Sequence, residues 1–145
     1  MTTTSTTARR LAIALGNTVA EAEIQTILDF FTNGTLTLPG TLVESVSDNL
    51  VALAGGAQAG TPLPSAINRV ITVASAGDSV QLPTSVPGLS ITVINAAATN
   101  SMNVFPQTGD ATNALAANVA FAVAAGKTVS FFCTSAGRWH TQLSA

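Results

Sequence analysis

The chain has 145 residues and a mass of 14.6 kDa, enough for one domain with its own core, or one compact domain with a smaller appendage. Hydrophobic residues make up 47% of it, which excludes a disordered chain, but only 8% are charged, against about 25% in ordinary soluble domains. The formal net charge is −2 and the only lysine is Lys127, which excludes a nucleic-acid binder working through a basic patch.

The N-terminal segment is expected to be an arm followed by helices, over residues 1–60. Thr2 to Thr7 is a Thr/Ser tract with no reason to fold alone. Arg9-Arg10 before Leu11-Ala12-Ile13-Ala14-Leu15 has the look of a short leader. Its apolar run is shorter than the 7–15 residues of a secretory core, and Gly16-Asn17 ends it. Thr18-Val19-Ala20-Glu21 fits a capping box. Ala20, Ile24, Ile27, Leu28 and Phe31 follow at helical spacing, and Asn33-Gly34 supplies a stop, so a helix is predicted over 19–31. Thr41-Leu42-Val43-Glu44 is a second capping box. It opens a stripe of Val43, Val46, Leu50 and Leu53 that predicts a helix over 42–54, closed by Gly55-Gly56. Two such short helices cannot form a core alone, so their stripes are expected to bury against a partner or the rest of the chain.

From residue 61 the pattern changes to β. The runs 67–74, 79–82, 89–95, 102–105, 119–123, 127–134 and 138–143 are rich in Val, Ile, Thr and Ser. Ala76-Gly77-Asp78, Val86-Pro87-Gly88, Gly109-Asp110, Ala125-Gly126 and Ala136-Gly137 punctuate them. Seven short strands at close spacing predict a mainly β fold: an antiparallel β-sandwich or jelly-roll-like module over 61–145. No internal repeat stands out. In 127–134, Val129, Phe131 and Cys133 share one face, and Phe132 is the apolar exception on the other, polar face.

Little in the chain speaks for catalysis. The single histidine, His140, follows Trp139 on a strand, so it faces solvent if Trp139 faces the core. The single cysteine, Cys133, excludes an internal disulfide framework and a multi-Cys zinc site, and reads as a small buried hydrophobe. The acids are scattered without calcium-loop spacing, and no phosphate-loop motif occurs. No apolar run approaches the ~18 residues of a membrane helix. No enzyme, cofactor, metal, nucleic acid or membrane partner is therefore expected. Phe105, Phe121, Phe131, Phe132 and Trp139 could furnish a sugar platform, though most are expected in the core. A surface of Thr, Ser, Asn, Gln, Ala and Gly loses little hydration on burial, which favours packing against identical copies.

Asn68-Arg69-Val70, Val73-Ala74, Ala76-Gly77-Asp78-Ser79-Val80 and Leu82-Pro83 together resemble a segment recurring in structural proteins of tailed bacteriophages. So do Val93-Ile94-Asn95-Ala96, Asn103-Val104-Phe105-Pro106, Gly109-Asp110, Ala125-Gly126-Lys127 and Gly137-Arg138-Trp139, and the resemblance covers roughly residues 50–145. It implies a module of capsid decoration (cement) proteins or of tail and fibre proteins. On that resemblance the expected role is a homotrimeric decoration protein on the outer surface of the virion head, bound to the major capsid protein. The alternative is a tail or fibre module that recognises host glycans. The expected capsid contacts are Arg9, Arg10, Leu11, Ile13, Leu15, Ile24, Ile27, Phe31, Val46 and Leu50. The expected subunit contacts are Phe132, Trp139 and His140.

Overall fold

The computed structural model describes residues 41–144, and the β unit within it begins at Glu44. Its strands are β1 (Val46–Val51), β2 (Thr61–Pro62), β3 (Ile67–Thr72), β4 (Ser79–Gln81) and β5 (Ser90–Asn95). They continue with β6 (Met102–Phe105), β7 (Ala111–Thr112), β8 (Phe121–Val123), β9 (Thr128–Ser135) and β10 (Arg138–Leu143). The fold is mainly β, as the composition of this part predicts. The helix expected over 19–31 lies outside the described residues. The helix expected over 42–54 is replaced by β1.

The topology is not the expected antiparallel sandwich or jelly roll. A six-stranded sheet runs β1-β3-β5-β9-β10-β7 and a four-stranded sheet runs β2-β4-β6-β8. The pairs β1–β3, β3–β5, β2–β4 and β4–β6 are all parallel. The chain therefore winds: each coil lays one strand in the larger sheet and one in the smaller, and the next coil stacks beside it. Three coils of this solenoid-like arrangement end where β9 and β8 close antiparallel on β5 and β6. The turn signals are correctly placed, but four of the five mark corners between sheets, and only Ala136-Gly137 turns a hairpin, between β9 and β10.

Polar side chains hold the corners of successive coils together. The buried Asp78 carboxylate accepts from the backbone N–H of Ser75 in its own corner (2.9 Å) and of Gly55 in the previous one (3.3 Å). Asn100, in the next corner, donates to the carbonyls of Val73 (2.9 Å) and Ala74 (3.0 Å). Gly77 N–H donates back to Ser101 O at 2.9 Å. These bonds satisfy backbone groups that parallel crossovers leave outside the ladders.

One buried core joins the two sheets. From the larger sheet come Val70, Ile91, Val93, Val129, Phe131, Cys133 and Trp139; from the smaller come Val80, Met102, Val104 and Val123. Phe121 meets Phe131 edge-to-face across the gap, with centroids 5.8 Å apart, the geometry ring quadrupoles favour. Strand alternation produces this directly: in β9, Val129, Phe131 and Cys133 are buried while Phe132 and Thr134 are exposed.

Gly60 allows the first coil to approach the second. A Cβ there would lie 2.7 Å from the Val80 carbonyl carbon and 2.8 Å from that of Ser79, both rigid backbone. Gly60→Ala must push β2 off β4 and is expected to cost about 1–3 kcal/mol, the range for overpacking a close-packed site. A lowered thermal midpoint by circular dichroism checks it, and an unchanged midpoint contradicts the close approach.

Candidate interaction surface

The outer face of the six-stranded sheet is built by the alternate residues that the core does not take. Cross-strand register arranges them in rows. Ser90, Phe132 and His140 form one row across β5, β9 and β10. Ile67, Thr92, Ser130 and Gln142 form the next, and Arg69, Ile94 and Thr128 the one after. Within the first two rows His140 is the only titratable side chain. Phe132, 39% exposed, stands against the exposed His140 on this surface, so two of the three expected subunit contacts are neighbours.

The third is not. Trp139 is fully buried on the opposite side of β10, where it forms part of the core, so within this fold it offers nothing to a neighbouring subunit. Its burial also removes the largest ring from any sugar platform. The exposure of His140 follows from the same alternation.

The far edge of the face is charged and irregular. Arg69 Nη1 donates to Asp48 Oδ1 at 2.9 Å, both side chains about half exposed. That bond, with a second from Asn49 N–H (2.7 Å), holds the Asp48 carboxyl below the usual carboxylate range. Any stability from the pair is present above that range and lost as pH falls through the lowered value; an exposed pair contributes little. Asn49 has φ +63° and the β1–β3 register slips on either side of Leu50. A bulged, charged edge strand resists pairing with another edge.

Of the expected capsid contacts, Val46 lies exposed on β1 at 62%, whereas Leu50 is half-buried against the core. Arg9, Arg10, Leu11, Ile13, Leu15, Ile24, Ile27 and Phe31 lie outside the described residues. The face as a surface was only half legible in sequence: alternation marks Thr92, Ser130 and Gln142 as outward, but their alignment depends on strand pairing.

Cys133 is buried, and its thiol is pushed up first by burial and then by the nearby Asp110 charge. The proton is retained, so alkylation of the folded chain near pH 8 is expected to be far slower than after unfolding. Stability from this thiol is full below the ordinary thiol range and falls as pH rises through it. Equal labelling rates in native and denatured protein contradict this placement. Among the described residues no group of three or more His, Cys, Asp or Glu is placed to hold a metal, and no helix is long and apolar enough to cross a membrane.

No family model, curated protein or solved structure matches the chain.

Proposed function

We propose that the chain is a virion structural protein of the tailed-phage kind, a decoration protein whose β unit packs by its outer sheet face. The observation that carries this reading is the row Ser90–Phe132–His140 beside Thr92–Ser130–Gln142: a nearly uncharged surface with one exposed phenyl ring. Hydroxyl and amide side chains cost less to desolvate than charges, so such a face is suited to burial against protein. The resemblance over residues 50–145 supplies the virion setting. In this reading copies associate as a trimer over the head and bind the major capsid protein. Each weak contact gains through its many equivalents on one shell. The added buried interface between capsomers offsets the pressure of packaged DNA.

Add-back to heads assembled without the chain tests this. Purified protein is expected to cosediment with such heads, saturate at a fixed ratio to the capsid protein, and raise their disruption temperature. Phe132→Asp is expected to reduce occupancy severalfold while lowering monomer stability by only about 1 kcal/mol, the span of strand propensity at a partly exposed site. Failure of the unmodified chain to sediment with heads overturns the reading.

A further inference from the structure

Three buried side-chain polar atoms have no hydrogen-bond partner among the described residues: Asp110 Oδ2, Thr112 Oγ1 and Trp139 Nε1. Two lie on one pair of strands, β7 and β10, and the third immediately precedes β7. Thr112 and Trp139 are directly paired in the parallel β7–β10 ladder and both are fully buried, so both side chains leave the sheet on its core side. Asp110 lies immediately before β7, two residues ahead of Thr112. It also lies against Gly137, two residues before Trp139: a Cβ on Gly137 would meet Asp110 Oδ1 at 3.4 Å. The Asp110 charge is felt as well at Cys133, the residue paired with Trp139 on the other side.

The chemistry of the three atoms selects what joins them. The indole N–H only donates, the carboxylate oxygen only accepts, and the hydroxyl does either. A cation would face the indole hydrogen, an anion would face the carboxylate, and an apolar group would satisfy none. Water accepts from one, donates to another and suits the third. Buried waters ordinarily hold about three such bonds to polar groups that are otherwise unsatisfied. We propose that one buried water molecule bridges Asp110 Oδ2, Thr112 Oγ1 and Trp139 Nε1, tying the two-residue strand β7 at the sheet edge to the core.

Trp139 is the only tryptophan, so its indole N–H gives a single resonance in the full-length, nitrogen-15-labelled chain. Water-selective NOE and ROE spectra are expected to show a cross-peak between that proton and water, with the sign of a long-lived contact. Absence of the cross-peak overturns the proposal. Thr112→Val removes the one hydroxyl that could relay exchange, yet leaves a donor and an acceptor, enough to hold a water. Survival of the cross-peak in that variant supports the bridge, and its disappearance overturns it. A crystal structure of the unmodified chain gives an answer independent of the variant's folding. An ordered water within about 3.2 Å of all three atoms supports the proposal, and an indole donating directly to Asp110 contradicts it.

Discussion

Trp139→Ala is expected to destabilise the β unit by about 3–5 kcal/mol, the usual range for emptying a buried large aromatic site. The indole is the largest side chain that is completely buried. It sits on β10, which pairs with β9 on one side and β7 on the other, so rigid strands on both sides oppose collapse into the space. Urea denaturation followed by far-UV circular dichroism measures the loss as a lower midpoint. Phe132→Ser, on the opposite face of the adjacent strand, is the control and is expected to shift stability by about 1 kcal/mol or less, as at other exposed positions. Similar midpoints for the two variants would contradict the inside–outside assignment of the β9–β10 hairpin. It follows that loss of any binding by Trp139→Ala would report unfolding rather than a lost contact.

Asn95→Leu is expected to cost at least about 3 kcal/mol, although leucine is of similar size and more apolar, because buried partners left unmade cost about 1–3 kcal/mol each. Asn95 ends β5 and is fully buried. Its Nδ2 donates to the carbonyls of Val123 (2.9 Å) and Asn100 (3.0 Å), and its Oδ1 accepts from Ala97 N–H (3.1 Å). One amide thus links the larger sheet to β8 of the smaller and fixes the corner of the third coil. Leucine would leave all three backbone groups without that partner, and the bond to the Val123 carbonyl is buried, where water does not readily replace it. The denaturation midpoint measures the loss, and hydrogen exchange at Ala97 should accelerate beyond what global destabilisation explains. A variant as stable as the unmodified chain would contradict the bridging role.

How far the sequence disclosed this fold depends on the range of each interaction. Alternation within a strand is local, so the buried set Val129, Phe131, Cys133 and the outward Phe132 are legible from spacing alone. Strand partners are not local, and short β runs separated by Gly-containing turns are compatible with hairpins or with coils. The coil signal is present but weak. Thr61-Pro62-Leu63-Pro64 aligns in the structure with Val80-Gln81-Leu82-Pro83, and Leu63 N–H donates to Gln81 O at 3.0 Å. Leu82 N–H repeats the bond to Phe105 O at 2.9 Å, beside Phe105-Pro106. The offsets between coils vary, from 19 residues (Thr61 to Val80) to 25 (Ile67 to Thr92), which hides the repeat from a fixed period.

At residues 42–54 a local rule misleads. The spacing of Val43, Val46, Leu50 and Leu53 fits a helix, yet Val46, Ser47, Leu50 and Val51 pair with β3. The bulge around Asn49 shifts alternation by a residue, so the apolar positions imitate a helical stripe. Tertiary pairing overrides the short-range pattern. The half-buried Asp110 and the buried Thr112 escaped notice for a related reason: nothing in a Gly-Asp-Ala-Thr turn marks it as leading into the strand that packs beside the only tryptophan.

The most direct test of the assembly role is the mass of the full-length chain in solution, measured by size-exclusion chromatography with light scattering. A stable species near three times 14.6 kDa, reduced to monomer by Phe132→Asp with the far-UV spectrum unchanged, is the expected result. A monomer at all accessible concentrations, or a trimer indifferent to Phe132→Asp, would contradict burial of this face between copies.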